Sequence, residues 1–105
     1  MKRLSCALVM GVMLVAGAAN ATDHQVIIKN HIYMPDNVVI KPGDSVTWVN
    51  HDEDPHNVID QANKKQFHSP ALDTNDTYSY TFTKAGSYAY FCTFHPTMQA
   101  KVTVK

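Results

Sequence analysis

Alternation of apolar and polar residues with a period of two is the pattern that most constrains the fold of this chain. Residues 77–83 show it most clearly, with Tyr78, Tyr80 and Phe82 at alternate positions and threonine or serine between them. Because side chains alternate between the two faces of a β-strand, this segment is predicted to have one buried and one solvated face. No window between residues 24 and 104 sustains a helical apolar period over three turns. The chain is therefore predicted to be all-β.

The other predicted strands are short and separated by turn signals. They are residues 26–28, 37–40, 45–50 and 87–92, with a last strand around Val102 and Val104. Residues 41–44, Lys-Pro-Gly-Asp, have proline and glycine where a type II turn requires them, and residues 83–86 form a second turn that ends in glycine. Residues 60–76 are predicted to form a long polar loop, with a short strand near Phe67. Trp48 is predicted to fill the core between two packed sheets.

Residues 1–21 have the pattern of a cleavable secretory signal peptide. Two basic residues precede an apolar run at residues 8–15, which is too short to span a bilayer, and the segment ends in small residues around Ala21. We expect cleavage after Ala21, which leaves residues 22–105 as one small domain. This domain is predicted to be secreted into the periplasm without membrane insertion.

Cleavage would change the charge and the thiol content of the chain. The chain has nine Lys and Arg and nine Asp and Glu residues, and two of the basic residues lie in the predicted signal, so the remaining net charge is 7 − 9 = −2. This near-neutral balance argues against nucleic acid as a partner. Cleavage would also remove Cys6, which leaves Cys92 without a partner for an internal disulfide. An unpaired cysteine in a secreted domain requires an explanation, and metal ligation supplies one.

A thiol, an imidazole and a thioether lie within seven residues near the end of the chain. They belong to Cys92, His95 and Met98, and a further histidine, His56, lies upstream within Pro-His-Asn-Val. Soft sulfur ligands favour Cu(I), imidazole suits copper, and two His, one Cys and a weakly bound Met define the electron-transfer copper centre. We therefore predict one mononuclear copper ion bound by these four residues, with Met98 as the weak axial ligand.

Four other interpretations of Cys92 account less well for this set of residues. Structural zinc sites favour sets of Cys and His without Met, and a binuclear copper site needs a second cysteine in the loop. A Cys-His protease needs a base and an orienting residue at the spacing of a known family. A buried thiol beside surface histidines is the simplest alternative, but it does not account for four ligands at this spacing.

The ligand spacing and its flanking residues resemble the cupredoxin family, and the short ligand loop is most similar to that of amicyanins. The resemblance covers nearly all of residues 32–104 and includes the turn at 41–44 and the Tyr-x-Tyr-x-Cys pattern at 88–92. It implies a two-sheet Greek-key β-sandwich that carries single electrons and is not an enzyme, and we expect a monomer. It also implies that Asn57 braces the site by bonding toward Thr93.

In this family electrons pass through the exposed edge of the C-terminal histidine ligand, which lies in an apolar surface patch. The resemblance implies the same patch here, used for docking a redox protein such as a dehydrogenase or a c-type cytochrome. We define this docking patch as Phe94, His95, Pro96, Met34 and Pro35. Amicyanins tend to have proline at the position of Phe94 and an aromatic residue at that of Thr97, so their partner, methylamine dehydrogenase, is not carried over. The alternative function for the same ligands is a protein that buffers or delivers copper.

The four other histidines lie outside this predicted site. His31, His51 and His68 have no partner pattern and are predicted to be surface or loop residues. If cleavage makes Thr22 the first residue, then Thr22 and Asp23 with His24 supply an amine, two amide nitrogens and an imidazole, which suits square-planar Cu(II) or Ni(II). A solvated tail is the alternative interpretation of His24.

Overall fold

The computed structural model describes residues 21–62 and 66–105, in which eight strands form two four-stranded sheets. The strands are β1 (Asp23–Lys29), β2 (Ile32–Met34), β3 (Asn37–Ile40), β4 (Ser45–Asn50), β5 (Ile59–Asp60), β6 (Thr77–Thr81), β7 (Gly86–Phe91) and β8 (Gln99–Val104). One sheet has the order β2-β1-β4-β6 and the other has the order β3-β8-β7-β5. The predicted all-β sandwich is confirmed.

The predicted signal peptide, except for Ala21, lies outside the described residues. Within the part of the chain that the structure describes, no helix has the length and apolar character needed to cross a membrane.

Two parallel strand pairs connect distant parts of the chain. Strand β1 pairs with β4, where Asp23 lies opposite Ser45, and β3 pairs with β8, where Asn37 lies opposite Lys101. A tight hairpin cannot join parallel strands, so each pairing is a long-range contact. As a result β1 and β8, which lie near the two ends of the described chain, both occupy interior positions in their sheets.

The core lies between the two sheets and is rich in aromatic side chains. Trp48 is fully buried, as predicted, and its ring stacks on Phe67 at a centroid distance of 6.2 Å. Tyr90 makes an edge-to-face contact with Trp48 at 5.4 Å. Because Phe67 comes from the predicted long loop, that loop contributes to the core and is not only a solvated connection.

Several strand boundaries differ from the prediction. Strand β6 ends at Thr81 because the next residue, Phe82, pairs with the turn at 41–44: its N–H donates to the Asp44 carbonyl at 2.9 Å, and its carbonyl accepts from Gly43 at 2.7 Å. Near Phe67 the structure has only an isolated bridge, between Ile59 and His68. Strand β7 ends one residue earlier than predicted, which leaves Cys92 just beyond the strand.

Candidate metal centre

The four predicted ligands come from two segments at one end of a single sheet. His56 lies three residues before β5, Cys92 directly follows β7, Met98 directly precedes β8, and His95 lies in the loop between β7 and β8. The start of β5 lies opposite the end of β7, because Ile59 pairs with Phe91 in an antiparallel ladder. The sheet therefore brings the upstream histidine to the loop that contains the other three residues.

Backbone hydrogen bonds close the loop at residues 92–98. The Cys92 N–H donates to the Met98 carbonyl at 3.2 Å, and the Met98 N–H donates to the His95 carbonyl at 2.8 Å. The first bond continues the β7–β8 pairing, and the second forms a tight turn. Cys92 and Met98 are buried, whereas His95 is partly exposed.

The donor atoms at this end of the sheet fit a copper ion. The Cys92 Sγ lies 3.8 Å from the Nδ1 of His56, whose side chain is fully buried. The Nδ1 of His95 is also buried and has no hydrogen-bond partner. A buried polar atom without a partner carries a desolvation cost, which coordination to a metal would remove. One thiol sulfur and two imidazole nitrogens form a donor set that suits copper.

The carboxylate of Asp52 orients His56, a contact that was not predicted from the sequence. The His56 Nε2 lies 2.9 Å from Asp52 Oδ2, which leaves Nδ1 facing the thiol. Burial raises the pKa of Asp52, but hydrogen bonds from the His31 and Asn30 backbone and from the His56 ring outweigh this effect and lower the pKa to about 2. Asp52 therefore stays charged, and such carboxylate contacts fix the orientation of metal-binding histidines.

Asn57 links the two segments that contain the predicted ligands. Its Nδ2 donates to the Thr93 Oγ1 at 2.7 Å, and its Oδ1 accepts from the Thr93 N–H at 2.8 Å. The contact that the resemblance implied is therefore present. The Tyr33 hydroxyl donates to the Asn57 carbonyl at 2.6 Å. Burial, with smaller effects of Cys92 and Tyr90, raises the pKa of Tyr33 far above its usual value, so this hydroxyl stays a neutral donor.

His31 lies beside the predicted ligands, a position that no pattern in the sequence indicated. It is exposed and lies in the turn between β1 and β2, as expected for a surface histidine. However, its ring centroid lies 4.2 Å from that of His95 and 5.1 Å from that of His56. One ring nitrogen from each of the three residues lies within 4.8 Å of the others. His31, His51 and His68 are all exposed, as predicted, but His31 also lies next to two of the predicted ligands.

The predicted docking patch contains large exposed apolar side chains. Phe94 is 48% exposed and Met34 is 50% exposed, and Pro35 and Pro96 are also exposed. Ile32, which was not predicted to belong to the patch, is 51% exposed. It directly follows the His31 turn, which contacts His95, so β2 contributes apolar surface near the 92–98 loop.

The three residues of the predicted amino-terminal metal site lie at the start of β1. The Thr22 N–H donates to Asp44 Oδ1 at 2.9 Å, and the His24 Nε2 lies 3.0 Å from Asp44 Oδ2. The Asp23 carboxylate accepts hydrogen bonds from two hydroxyl groups of β4. A square-planar site would require this segment to release Asp44 and to leave its extended conformation.

Comparison with known proteins identifies the family to which this β-sandwich and its cluster of donor atoms belong. Residues 21–105 match the family of copper binding proteins that includes plastocyanin and azurin. The chain belongs to this family. It is a copper electron-transfer protein with one copper ion as cofactor, and it is not an enzyme.

Two relatives and two solved structures show which members of this family the chain is similar to. The chain is 36% identical over 104 residues to amicyanin-alpha of Methylorubrum extorquens, covering 96% of this chain and 87% of the relative. It is 39% identical over 95 residues to amicyanin of Paracoccus versutus, covering 87% and 72%. The fold matches a novel purple cupredoxin from Nitrosopumilus maritimus with a TM-score of 0.72 and 40% identity, covering 79% of this chain and all of that one. It also matches the reduced state of an amicyanin mutant with a TM-score of 0.74 and 38% identity, covering 84% and 89%.

Proposed function

We propose that this protein carries single electrons between redox partners through one type 1 copper ion bound by His56, Cys92, His95 and Met98. The observation that carries this proposal is the contact of Cys92 Sγ with His56 Nδ1 at 3.8 Å, beside the buried and unpartnered Nδ1 of His95. The copper ion supplies the one-electron couple between Cu(I) and Cu(II).

The role of the protein is to hold these ligands in place. Asp52 fixes the His56 ring, and the backbone bonds of the 92–98 loop fix the positions of Cys92 and Met98. Ligands that are held by their surroundings change position little between the two copper valences. Such a site favours fast electron transfer without a chemical change in the protein.

We propose that electrons enter and leave the protein through the docking patch. His95 is the most exposed of the four proposed ligands, and it lies between the exposed Phe94 and Pro96 in the same loop. Met34 and Pro35 extend the apolar surface. An apolar surface beside a partly exposed ligand suits transient docking of a redox protein. We propose a dehydrogenase or a c-type cytochrome as this partner. We propose that the protein works as a monomer.

The proposed location is the periplasm. This proposal relies on the signal-peptide pattern of residues 1–21, which would direct export and leave residues 22–105 as the working domain. The electron donor and acceptor would then be periplasmic proteins.

The first test is the visible absorption of the protein loaded with Cu(II). An intense thiolate-to-copper band is expected, and Cys92→Ser should abolish it because the band requires the sulfur ligand. His51→Asn is the matched control, since His51 is an exposed histidine outside the donor cluster. Absence of the band in the unaltered protein, or its survival in Cys92→Ser, would contradict the proposal.

A second measurement separates electron transfer from copper delivery. A carrier should keep its copper through repeated reduction and oxidation in the presence of a Cu(I) chelator, and it should show fast self-exchange. Rapid loss of Cu(I) to the chelator, with slow self-exchange, would instead indicate a protein that buffers or delivers copper.

The amino-terminal metal site remains a separate prediction. It requires Thr22 to be the first residue, which mass spectrometry of the exported protein would establish. Cu(II) added to protein that already holds one copper ion should then give a square-planar spectrum, and His24→Asn should remove it. No additional spectrum, or a different first residue, would rule this site out.

A further inference from the structure

Three imidazoles meet at the edge of the proposed copper site, although the type 1 site uses only two of them. His31 comes from the turn between β1 and β2, His56 precedes β5, and His95 lies in the loop after β7. One ring nitrogen of each lies within 4.8 Å of the others. The His31 ring is closer to His95 than to His56, with centroid distances of 4.2 and 5.1 Å.

Two of these rings are each held by a carboxylate, and in both rings the nitrogen that makes the contact is Nε2. His56 Nε2 lies 2.9 Å from Asp52 Oδ2, and His31 Nε2 lies 2.8 Å from Asp54 Oδ2. Metal-binding histidines commonly donate their second ring nitrogen to a carboxylate in this way, which fixes the tautomer and makes the other nitrogen a better ligand. In both residues Nδ1 is therefore the nitrogen left for a metal. The third ring, that of His95, has a buried Nδ1 without a hydrogen-bond partner.

The backbone also fixes His31 at this position. Asn30 and His31 have positive φ angles of 56° and 59°, a conformation that few residues other than glycine adopt. The N–H groups of both residues donate to the Asp52 carboxylate, at 2.7 and 2.9 Å. Asp52 therefore holds the His31 turn and the His56 ring together, which makes the distance between the two imidazoles a property of the fold.

We propose that His31, His56 and His95 form a second metal-binding mode that does not use Cys92. The ligand is a divalent transition metal ion that accepts imidazole nitrogen, such as Cu(II), Zn(II) or Co(II). Three histidines leave further coordination positions to water, as in other three-histidine metal sites. Because this mode shares His56 and His95 with the proposed type 1 site, one molecule uses one mode at a time.

The test uses the full chain with Cys92→Ala, which removes the thiol and leaves the three imidazoles. Cu(II) should bind with one equivalent and give an electron paramagnetic resonance spectrum without blue-copper character and with splitting from three nitrogens. Adding His31→Asn should weaken binding by about tenfold or more, since loss of a ligand costs at least as much as loss of an orienting contact. Asparagine is chosen because it tolerates the positive φ of this turn.

His51→Asn in the Cys92→Ala background is the matched control and should leave the affinity and the nitrogen count unchanged. Equal affinity with and without His31 would overturn the proposal. If Cys92→Ala does not fold, Cys92→Ser replaces it in the same Cu(II) titration, and equal affinity with and without His31 in that background would likewise overturn the proposal. The blue band tests the type 1 site separately, because that band requires Cys92.

Discussion

The side chains of Asn57 and Thr93 join the two segments of the candidate site, although the residues are 36 positions apart in the sequence. Both groups of the Asn57 amide take part, because Nδ2 donates to the Thr93 hydroxyl while Oδ1 accepts from the Thr93 backbone. Asn57 is adjacent to His56 and Thr93 is adjacent to Cys92. The pair of hydrogen bonds therefore holds the imidazole and the thiol at a fixed separation.

Asn57→Ala removes both of these bonds and leaves the Thr93 N–H without its partner. We expect the free energy of unfolding of the metal-free protein to fall by about 1 to 3 kcal/mol, measured by urea denaturation. Thr93→Ala is the matched comparison, since it removes one bond and keeps the backbone contact, and its cost should be about 1 kcal/mol. Equal losses in the two variants would show that the backbone bond contributes nothing.

Met98→Gln tests the proposed axial ligand. The blue band should remain, but the reduction potential should fall, because an oxygen donor favours Cu(II) more than a thioether does. Each tenfold change in relative affinity for the two valences corresponds to about 59 mV for a one-electron couple. Cyclic voltammetry measures the potential, and Met34→Gln is the control because that methionine is 50% exposed and outside the ligand set. An unchanged potential in Met98→Gln would refute the axial role.

Phe94→Glu tests the docking patch. If electrons pass through this patch, self-exchange requires two molecules to meet there. A charge on each copy should then repel the other and lower the rate constant by about tenfold, equivalent to about 1.4 kcal/mol. The visible spectrum should not change. Val39→Glu is the control, since Val39 is 51% exposed on β3 beside Lys41 and Lys105, away from the ligand loop. Equal rate constants in the two variants, measured by nuclear magnetic resonance line broadening, would contradict the assignment of the patch.

Asp44 is expected to make stability depend on pH. Its pKa is lowered mainly by the Thr22 N–H, with further hydrogen bonds from His24 and Lys41, while burial acts in the opposite direction. A carboxylate with a lowered pKa stabilises the folded state above its ordinary pKa of 3.8, and this stabilisation is lost as the pH falls below that value.

Asp44→Ala should therefore be less stable than the unaltered protein near neutral pH, and the difference should narrow in acid. Thermal unfolding of the metal-free protein as a function of pH measures this. Glu53→Ala serves as the control because Glu53 is an exposed acidic residue. A difference that stays constant down to the lowest pH would show that the charge of Asp44 is not involved.

The structural features that were predicted correctly from the sequence are those that depend on local sequence pattern. Trp48 was predicted to fill the core as a large aromatic side chain in a strand, and the candidate ligands were predicted from residue type and spacing. The missed features depend on contacts between distant segments. His31 lies near His95 because β1 and β2 form a hairpin whose turn is held by Asp52. Phe67 reaches Trp48 from a segment that pairs with β5, where the Asp60 N–H donates to the Phe67 carbonyl at 3.0 Å. Neither contact has a periodic signal in the sequence.

The backbone bonds of the 92–98 loop also make the ligand spacing in the loop independent of the register between β7 and β8. The bond from the Cys92 N–H to the Met98 carbonyl extends the β7–β8 pairing by one step, and within the loop the Met98 N–H donates to the His95 carbonyl. Residues inserted or deleted between Cys92 and Met98 would therefore change the ligand spacing while leaving the strand register intact. Variation in loop length is thus a route by which this scaffold could acquire a different metal preference without a new fold.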